Sequence, residues 1–441
     1  MSVTIQQYAS NLTLANSDLI WVVTSNSSSR AQYQFICALQ DGCGTTLTTV
    51  KQQPNPSSKG VFDLGRIVKQ YLEYDTDHFN GGVDGLFQVN QNTAKFFKVA
   101  FGEEYGTSPS SSVSVFNGIT NATTGSPAQT GSFPQYYFIN GVLDPNYGSF
   151  SWDTGSYYSP QVTPSSASFT KNVCMTDAPR TQSARDSDFL TVNALNGNFN
   201  GTSTGSAQDI FSIVVNAYNG TSSVYDDTFF NLVPSNLDAY GGPRVSTNQL
   251  WSAVYTLSTC TSSIALSKQT SGSLLLTMPI GPANITAYGN FDFSTDYWDY
   301  YTVAFQPQRA ANSANTSASW DSFTINRTTG NCDYNGVRFA WVNDYGVWDY
   351  YTFGLQNDIT TAMDRGIYKQ NFVNYSTTTN AVPYNISRRG NNAYYTNINE
   401  IFTANSDWLT QEEADWLEGL FYSPNVYIQD GFNMVPVIIN S

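Results

Sequence analysis

Short apolar segments alternating with period two, cut by Asn, Gly, Ser and Thr, recur along this chain and predict a mainly β, multi-domain protein. Leu19–Thr24, Ala31–Leu39 and Thr45–Val50 alternate in this way, with Ser25–Arg30 and Asp41-Gly42 as polar breaks. Strands of that length and spacing suggest an immunoglobulin-like β-sandwich. At Asp63 the period changes. Leu64, Ile67, Val68, Tyr71 and Leu72 fall at i, i+3, i+4, i+7 and i+8, which predicts a helix over residues 62–74. Leu86–Val89 and Phe96–Phe101 return to strand, and the first domain is expected to span residues 1–106.

Residues 107–135 are rich in Ser, Thr, Gly and Pro and read as a linker, or as an arm that orders against a neighbouring subunit. A middle β-rich domain is expected over 136–245, with strands at Phe189–Leu195, Ile210–Ala217 and Thr228–Val233. A C-terminal β domain is expected over 246–441. Its strands begin at Leu250–Leu257, Ser273–Met278, Thr286–Phe293 and Tyr300–Phe305. Val337–Val342, the turn residues Asn343–Gly346 and Trp348–Phe353 then form a hairpin. The run Trp-Asp-Tyr-Tyr-Thr occurs at 298–302 and again at 348–352, too short for a duplicated domain and read as two similar edges of one sheet.

The clearest helix is 410–421. Thr410-Gln411-Glu412-Glu413 fits a capping box, Ala414, Leu417, Leu420 and Phe421 make a stripe, and Ser423-Pro424 stops it. Trp408 and Trp416 fall off that stripe. The closing Val435–Ile439 is apolar enough to be a paired strand, after a Gly431 turn.

Composition turns attention from chemistry to surfaces. Only 12% of the residues are charged, 15% are aromatic, and the formal net charge is −15. That balance argues against nucleic acid or an anionic membrane as partner. No apolar run approaches the length of a membrane span, and the first residues show neither the basic nor the apolar region of a secretion signal. Large rings among few charges favour assembly surfaces, and Trp298, Trp348, Trp408 and Trp416 are the interface candidates.

Catalytic sets are hard to assemble from these residues, so no enzyme activity, catalytic residue or cofactor is expected. The single histidine, His78, sits in the polar run 74–78 and reads as a solvated loop residue. Gly201-Thr202-Ser203-Thr204-Gly205 matches a nucleophile elbow only formally, because no apolar strand leads into it. Adjacent acids at Glu103-Glu104, Asp226-Asp227 and Glu412-Glu413 evoke a glycosidase pair. Neighbours on a strand point to opposite faces, however, and Glu412-Glu413 belongs to the capping box. Structural calcium has candidate ligands in Asp75/Asp77 and Asp292/Asp296/Asp299, without the spacing of an EF-hand loop. Of the five cysteines, Cys37 and Cys43 could meet across a hairpin. Free buried thiols are expected overall.

Several stretches resemble structural proteins of tailed bacteriophages and prophages of Bacteroidota-type hosts, crAss-like phages included. They are Gly60–Leu72, Val337–Asp349 preceded by Cys332, Asn405–Leu409, Ser423–Tyr427 and Val435–Ile438. They lie at both ends of the chain, and its middle carries none of them. The resemblance implies a virion component of the tail, baseplate or head–tail connector, made in the host bacterial cytoplasm. It would act by contacts with itself, as a homo-oligomeric ring, and with other virion proteins. The alternative from another class is a receptor- or glycan-binding adhesin, and a virion-borne depolymerase is a third.

Overall fold

In the computed structural model, the alternation of the first sixty residues becomes two facing sheets. The structure describes residues 3–9, 12–16, 18–41, 45–74, 76, 88–90, 92–106, 114–115, 135–141, 174–196, 210–230, 274–288, 291–310, 313–314, 322–328, 336–369, 378–380, 391–431 and 433–440. The protein is mainly β. Before residue 140 the described strands are β1 (Val3–Gln7), β2 (Leu12–Leu14), β3 (Ile20–Ser25), β4 (Gln34–Asp41), β5 (Thr46–Gln52), β6 (Lys59–Asp63), β7 (Gln88–Val89), β8 (Ala94–Glu104), β9 (Ser114–Val115) and β10 (Gln135–Ile139). Helix α1 (Gly65–Lys69) follows β6.

One sheet runs β1-β3-β6. The other runs β2-β10-β8-β4-β5, with β9 on β8 and with β2 parallel to β10. In immunoglobulin terms these are A-B-E against A′-G-F-C-C′. Trp21 on β3 lies opposite Phe62 on β6, and its indole donates to the Tyr136 hydroxyl of β10 at 3.2 Å. The two rings meet edge-on at 5.4 Å. Full burial of such a ring stabilises the sandwich by roughly 2–3 kcal/mol.

Two expectations change here. The helix expected over 62–74 is five residues long. Phe62 is held in β6 against Trp21, the Asp63 carboxylate accepts the Gly65 amide, and the Glu73 amide leaves to bond the Asn92 carbonyl. The boundary at 106 does not hold either, because the last strand of the sandwich, β10, comes from the stretch assigned to the middle domain. The expected linker 107–135 therefore falls between two neighbouring strands of one sheet, with Gln135 already in β10, and 107–113 and 116–134 lie outside the described residues. Strand β10 also serves two cores. Tyr136 and Phe138 join the sandwich interior, while Tyr137 and Ile139 join a second cluster.

The strands that follow, most of which contribute to that second cluster, are β11 (Thr181–Ala184), β12 (Thr191–Asn196), β13 (Ile210–Asn219), β14 (Ser222–Phe230), β15 (Leu274–Pro279), β16 (Tyr300–Ala310), β17 (Ser313–Ala314), β18 (Ser322–Arg327), β19 (Val337–Val342) and β20 (Trp348–Phe353). The sheet orders are β11-β18-β16-β13-β14, with β17 on β16, and β12-β15-β7. Pairings of β13 with β16, β12 with β15 and β11 with β18 cross the boundary expected at 245, so no middle domain stands alone. Residues 231–273, including the expected Leu250–Leu257 strand, lie outside the described residues. The expected strand Thr286–Phe293 is corrected too, since helix α2 (Pro282–Tyr288) occupies its start. Pro282 fits the first helical turn, where its missing N–H costs nothing, and the Ile285 amide bonds the Gly281 carbonyl.

The hairpin β19–β20 forms as expected, with Gly346 at φ +79° in its turn. Helix α3 (Gln411–Tyr422) carries the full capping box on Thr410 and Glu413. Strands β23 (Val426–Asp430) and β24 (Asn433–Val437) complete the order β20-β19-β23-β24, with the Gly431 turn at φ +60° between the last two. The two Trp-Asp-Tyr-Tyr-Thr runs are not edges of one sheet. The first enters β16 and the second lies in β20, in different sheets.

The chain divides into two compact units, one of Met1–Thr329, Arg338–Tyr351 and Leu409–Ser441, the other of Gly330–Val337 and Thr352–Trp408. The second unit centres on a long antiparallel hairpin of β21 (Asp358–Lys369) and β22 (Asn391–Thr403), which among the described residues form a sheet of two strands.

Candidate assembly surfaces

Three of the four tryptophans expected at interfaces lie in the chain's own core. Trp298 is fully buried, and its indole donates to Asp186 Oδ1 and to the Phe293 carbonyl, both at 3.1 Å. Trp348 is buried with its ring edge-on to Tyr427 at 5.5 Å. Trp416 is buried against Trp341 at 5.0 Å and Tyr351 at 6.0 Å. Each finds an apolar bed, and Trp298 and Trp416 also find an acceptor, the two conditions that hold a tryptophan inside. The stripe of α3 runs through Trp416, Leu417 and Leu420, while Ala414 and Phe421 are exposed. Trp408, in contrast, is 98% exposed.

Asp349 ties three separate stretches of the first unit together. Its Oδ2 accepts from the Trp416 indole of α3 at 2.8 Å, and its Oδ1 accepts from the Thr176 hydroxyl at 2.6 Å. Burial pushes its pKa up to about 6, opposed by hydrogen bonds from Thr176, Trp416 and Asn343 and assisted by the nearby Asp177. On the neighbouring strand β19, Arg338 is buried and pairs with buried Asp188 at 3.3 Å. The Arg338 Nε and Nη2 donate to the Phe189 carbonyl at 3.0 and 2.7 Å, and its guanidinium lies 5.4 Å from the Tyr350 ring centroid. Asp188 also meets Arg185 at 2.9 Å. Burial lowers the Arg338 pKa and Asp188 raises it. These polar groups end on one another in the interior, an arrangement that fixes packing.

The acids weighed for chemistry are dispersed. Glu103 is buried and accepts from Ser25 and Tyr33, whereas its neighbour Glu104 pairs with Lys51 at 2.6 Å. Asp227 is buried beside Tyr225, and Glu413 is held by the capping box. Asp292 caps its own turn through Ser294, Asp296 accepts the Asp292 amide, and Asp299 accepts the Gly220 amide. Among the described residues no three His, Cys, Asp or Glu side chains form a metal-sized group. Asp75, Asp77, His78 and residues 201–205 lie outside the described residues, as do Cys43, Cys260 and Cys332. Cys37 is a free thiol and Cys174 is buried like it, and burial pushes the Cys37 thiol up. No described helix is long and apolar enough to cross a membrane.

The surface that sequence reading missed is the β21–β22 ribbon. Ile359 faces Phe402 and Met363 faces Ile398 across one face, while Thr360 faces Ile401 and Gly366 faces Tyr395 across the other. Directly opposed residues share a face, so both faces carry apolar rows. A bulge at Gly366/Ile367 brings Tyr394 over the same point. A Cβ at Gly366 would overlap the Tyr394 and Tyr395 rings, so glycine there is what lets the rings lie on the backbone. Nine of the large apolar side chains exposed among the described residues (Ile359, Met363, Ile367, Tyr368, Tyr394, Tyr395, Ile398, Ile401, Phe402) belong to this one hairpin. Such concentration makes the ribbon the candidate contact surface among the described residues.

No known protein family matches the chain, and no curated protein matches it. Among solved structures, the native conformation of E. coli alpha-2-macroglobulin is similar at 9% identity with a TM-score of 0.15, covering 99% of this chain and 21% of that one. A TM-score that low carries no argument, and the chain spans about a fifth of that protein's length.

Proposed function

We propose that this protein is a structural subunit of a tailed-phage virion, in the tail, baseplate or head–tail connector, acting by assembly with itself and with other virion proteins. The observation that carries the assembly reading is the β21–β22 ribbon. A two-stranded hairpin is marginal in water by itself, yet this one extends over twelve and thirteen residues with exposed apolar rows on both faces. Such a ribbon gains its stability by being covered. The address within a virion rests on the resemblance of Gly60–Leu72, Val337–Asp349 and the C-terminal segments, none of which is part of the ribbon.

The second reading, a glycan-binding adhesin, draws on exposed Trp408, Tyr394 and Tyr395, rings of the kind that stack on saccharides. Two measurements decide between them. Peptide mass spectrometry of purified phage particles from a host carrying this coding sequence should detect the chain as a particle component. Its absence from particles overturns the virion assignment. Calorimetric titration with host surface polysaccharide should give no saturable binding, and a saturable isotherm abolished by Trp408→Ala establishes the adhesin reading instead.

A further inference from the structure

The assembly reading leaves open what covers the ribbon, and the order of residues along one face narrows the choice. Met363 and Ile398, directly opposed, form the middle of that face. One step to one side comes Glu400, opposite Thr361, and one step to the other comes Arg365. Ile359 and Phe402 follow beyond Glu400. Ile367 follows beyond Arg365, because the bulge at Tyr394 lies on β22 and leaves the alternation of β21 unbroken. All of these side chains are exposed, and among the described residues neither Arg365 nor Glu400 takes part in an ion pair. The face therefore reads apolar, acidic, apolar, basic, apolar. Reversed, that order is its own complement. The opposite face lacks this property, since it carries Asp358 and Asp364 and no cation.

We infer that two copies of this chain pack their β21–β22 ribbons face to face through the Met363 side, antiparallel, about a two-fold axis beside Met363 and Ile398. This rests on the assembly reading above and names its partner. An axis crossing the strands there lays β21 of one copy along β21 of the other in reverse. Met363 then packs on its own counterpart, and Ile367 comes over Ile359 of the second copy. Arg365 comes over Thr361 of the second copy, beside the Glu400 that Thr361 opposes, and the same contact repeats across the axis. Each charge lies about 7 Å from the axis along the strand, where the twist of two stacked ribbons displaces facing positions least. The contact is isologous, so it closes at two copies and leaves ring or filament growth to other surfaces. The occupant is a second copy because an unrelated protein would have to present this order in reverse, whereas a copy does so through the two-fold alone.

The full-length chain tests this by sedimentation velocity across a concentration series, with each variant first checked by thermal melt for intact folding. Wild type should pass from monomer to dimer as concentration rises. Arg365→Glu makes both charged positions acidic and Glu400→Arg makes both basic. Each variant alone should self-associate at least about ten-fold more weakly, as like charges at a contact do. Mixed, the two should form a heterodimer at least as tightly as wild type, because both acids of one copy then meet both cations of the other. The double variant, with the charges exchanged, should recover self-association. If wild type associates and both single variants associate equally well, the docking inference is wrong while self-assembly stands. If both weaken and the mixture does not recover, the ribbon docks elsewhere and two-fold pairing is overturned. If wild type stays monomeric to its solubility limit, self-assembly itself fails and this inference falls with it. A second readout does not depend on charge reversal. Met363→Cys treated with a short bis-maleimide should give a peptide linking position 363 of one copy to position 363 of the other, read by mass spectrometry. Asp364→Cys, on the opposite face, should not link in this way, and linkage at 364 with none at 363 overturns the inference.

Discussion

The Trp416 indole donates to Asp349 Oδ2 at 2.8 Å, so a helix near the C-terminus and a hairpin strand share one buried polar contact. The ring's fate follows from that bond. Trp416→Ala should remove a buried aromatic and leave a carboxylate oxygen without its donor, costing about 3–5 kcal/mol. Thermal or urea unfolding of the full chain measures it. A loss under about 1 kcal/mol would mean that the ring is dispensable to the core.

Trp408→Ala is the matched control. With 98% of its surface exposed, it should leave the melting temperature unchanged. Any effect should appear in association, read by sedimentation at several concentrations.

Asp349 should give the fold a recognisable pH signature. Its folded-state pKa of about 6 lies above that of an unfolded aspartate. The folded state therefore holds the proton more tightly, and this group's contribution to stability is complete below about pH 4 and lost as pH rises through about 6. For one proton that span is worth about 3 kcal/mol. Asp349→Asn should lack this component, so the difference between wild-type and variant unfolding curves should slope between pH 4 and 6 and level off above. A difference independent of pH across that window counts against a protonated Asp349.

Gly346 and Gly220 both have positive φ, at +79° and +59°, yet their surroundings differ. A Cβ at Gly346 would overlap the Asn140 carbonyl, whereas nothing lies within 4 Å of a Cβ at Gly220. Gly220→Ala should cost about 1 kcal/mol from backbone strain alone. Gly346→Ala should cost clearly more, because the β19–β20 turn must also move away from Asn140. Equal losses in denaturant unfolding would show that the turn shifts freely.

The buried pair should respond asymmetrically. Asp188→Ala strands Arg338 in the interior and should cost about 3–5 kcal/mol. Arg338→Met leaves Asp188 with Arg185 at 2.9 Å and fills the space with apolar atoms, so its loss should be the smaller one in the same unfolding assay.

Which features could be read ahead of the structure follows from the range of the forces behind them. The strands around Trp21 and Cys37, the β19–β20 hairpin and the capping box on Thr410 are set within a few residues, and each was legible. Trp416 was misread because its burial is decided by Asp349, 67 residues earlier. The β21–β22 ribbon went unread for a related reason. Asn391, Asn392, Asn397 and Asn399 dilute the apolar signal of β22, and its rows emerge only when Ile398 and Phe402 are set against Met363 and Ile359. Strand β10 was assigned to the wrong domain because its partners, β2 and β8, are fixed by pairing and not by local pattern.

The second unit leaves the chain after β20 and returns before α3, and this has a consequence for synthesis. Strand β19 waits for β23 as its second neighbour, and roughly seventy residues separate Phe353 from Val426, about 4–15 s of elongation. The apolar ribbon therefore leaves the ribosome before β23 does, while β19 still lacks its second neighbour. Nascent chains on one messenger would then meet ribbon first, so chaperone demand should peak in that window, and co-translational pairing of neighbours becomes a route to the assembled state.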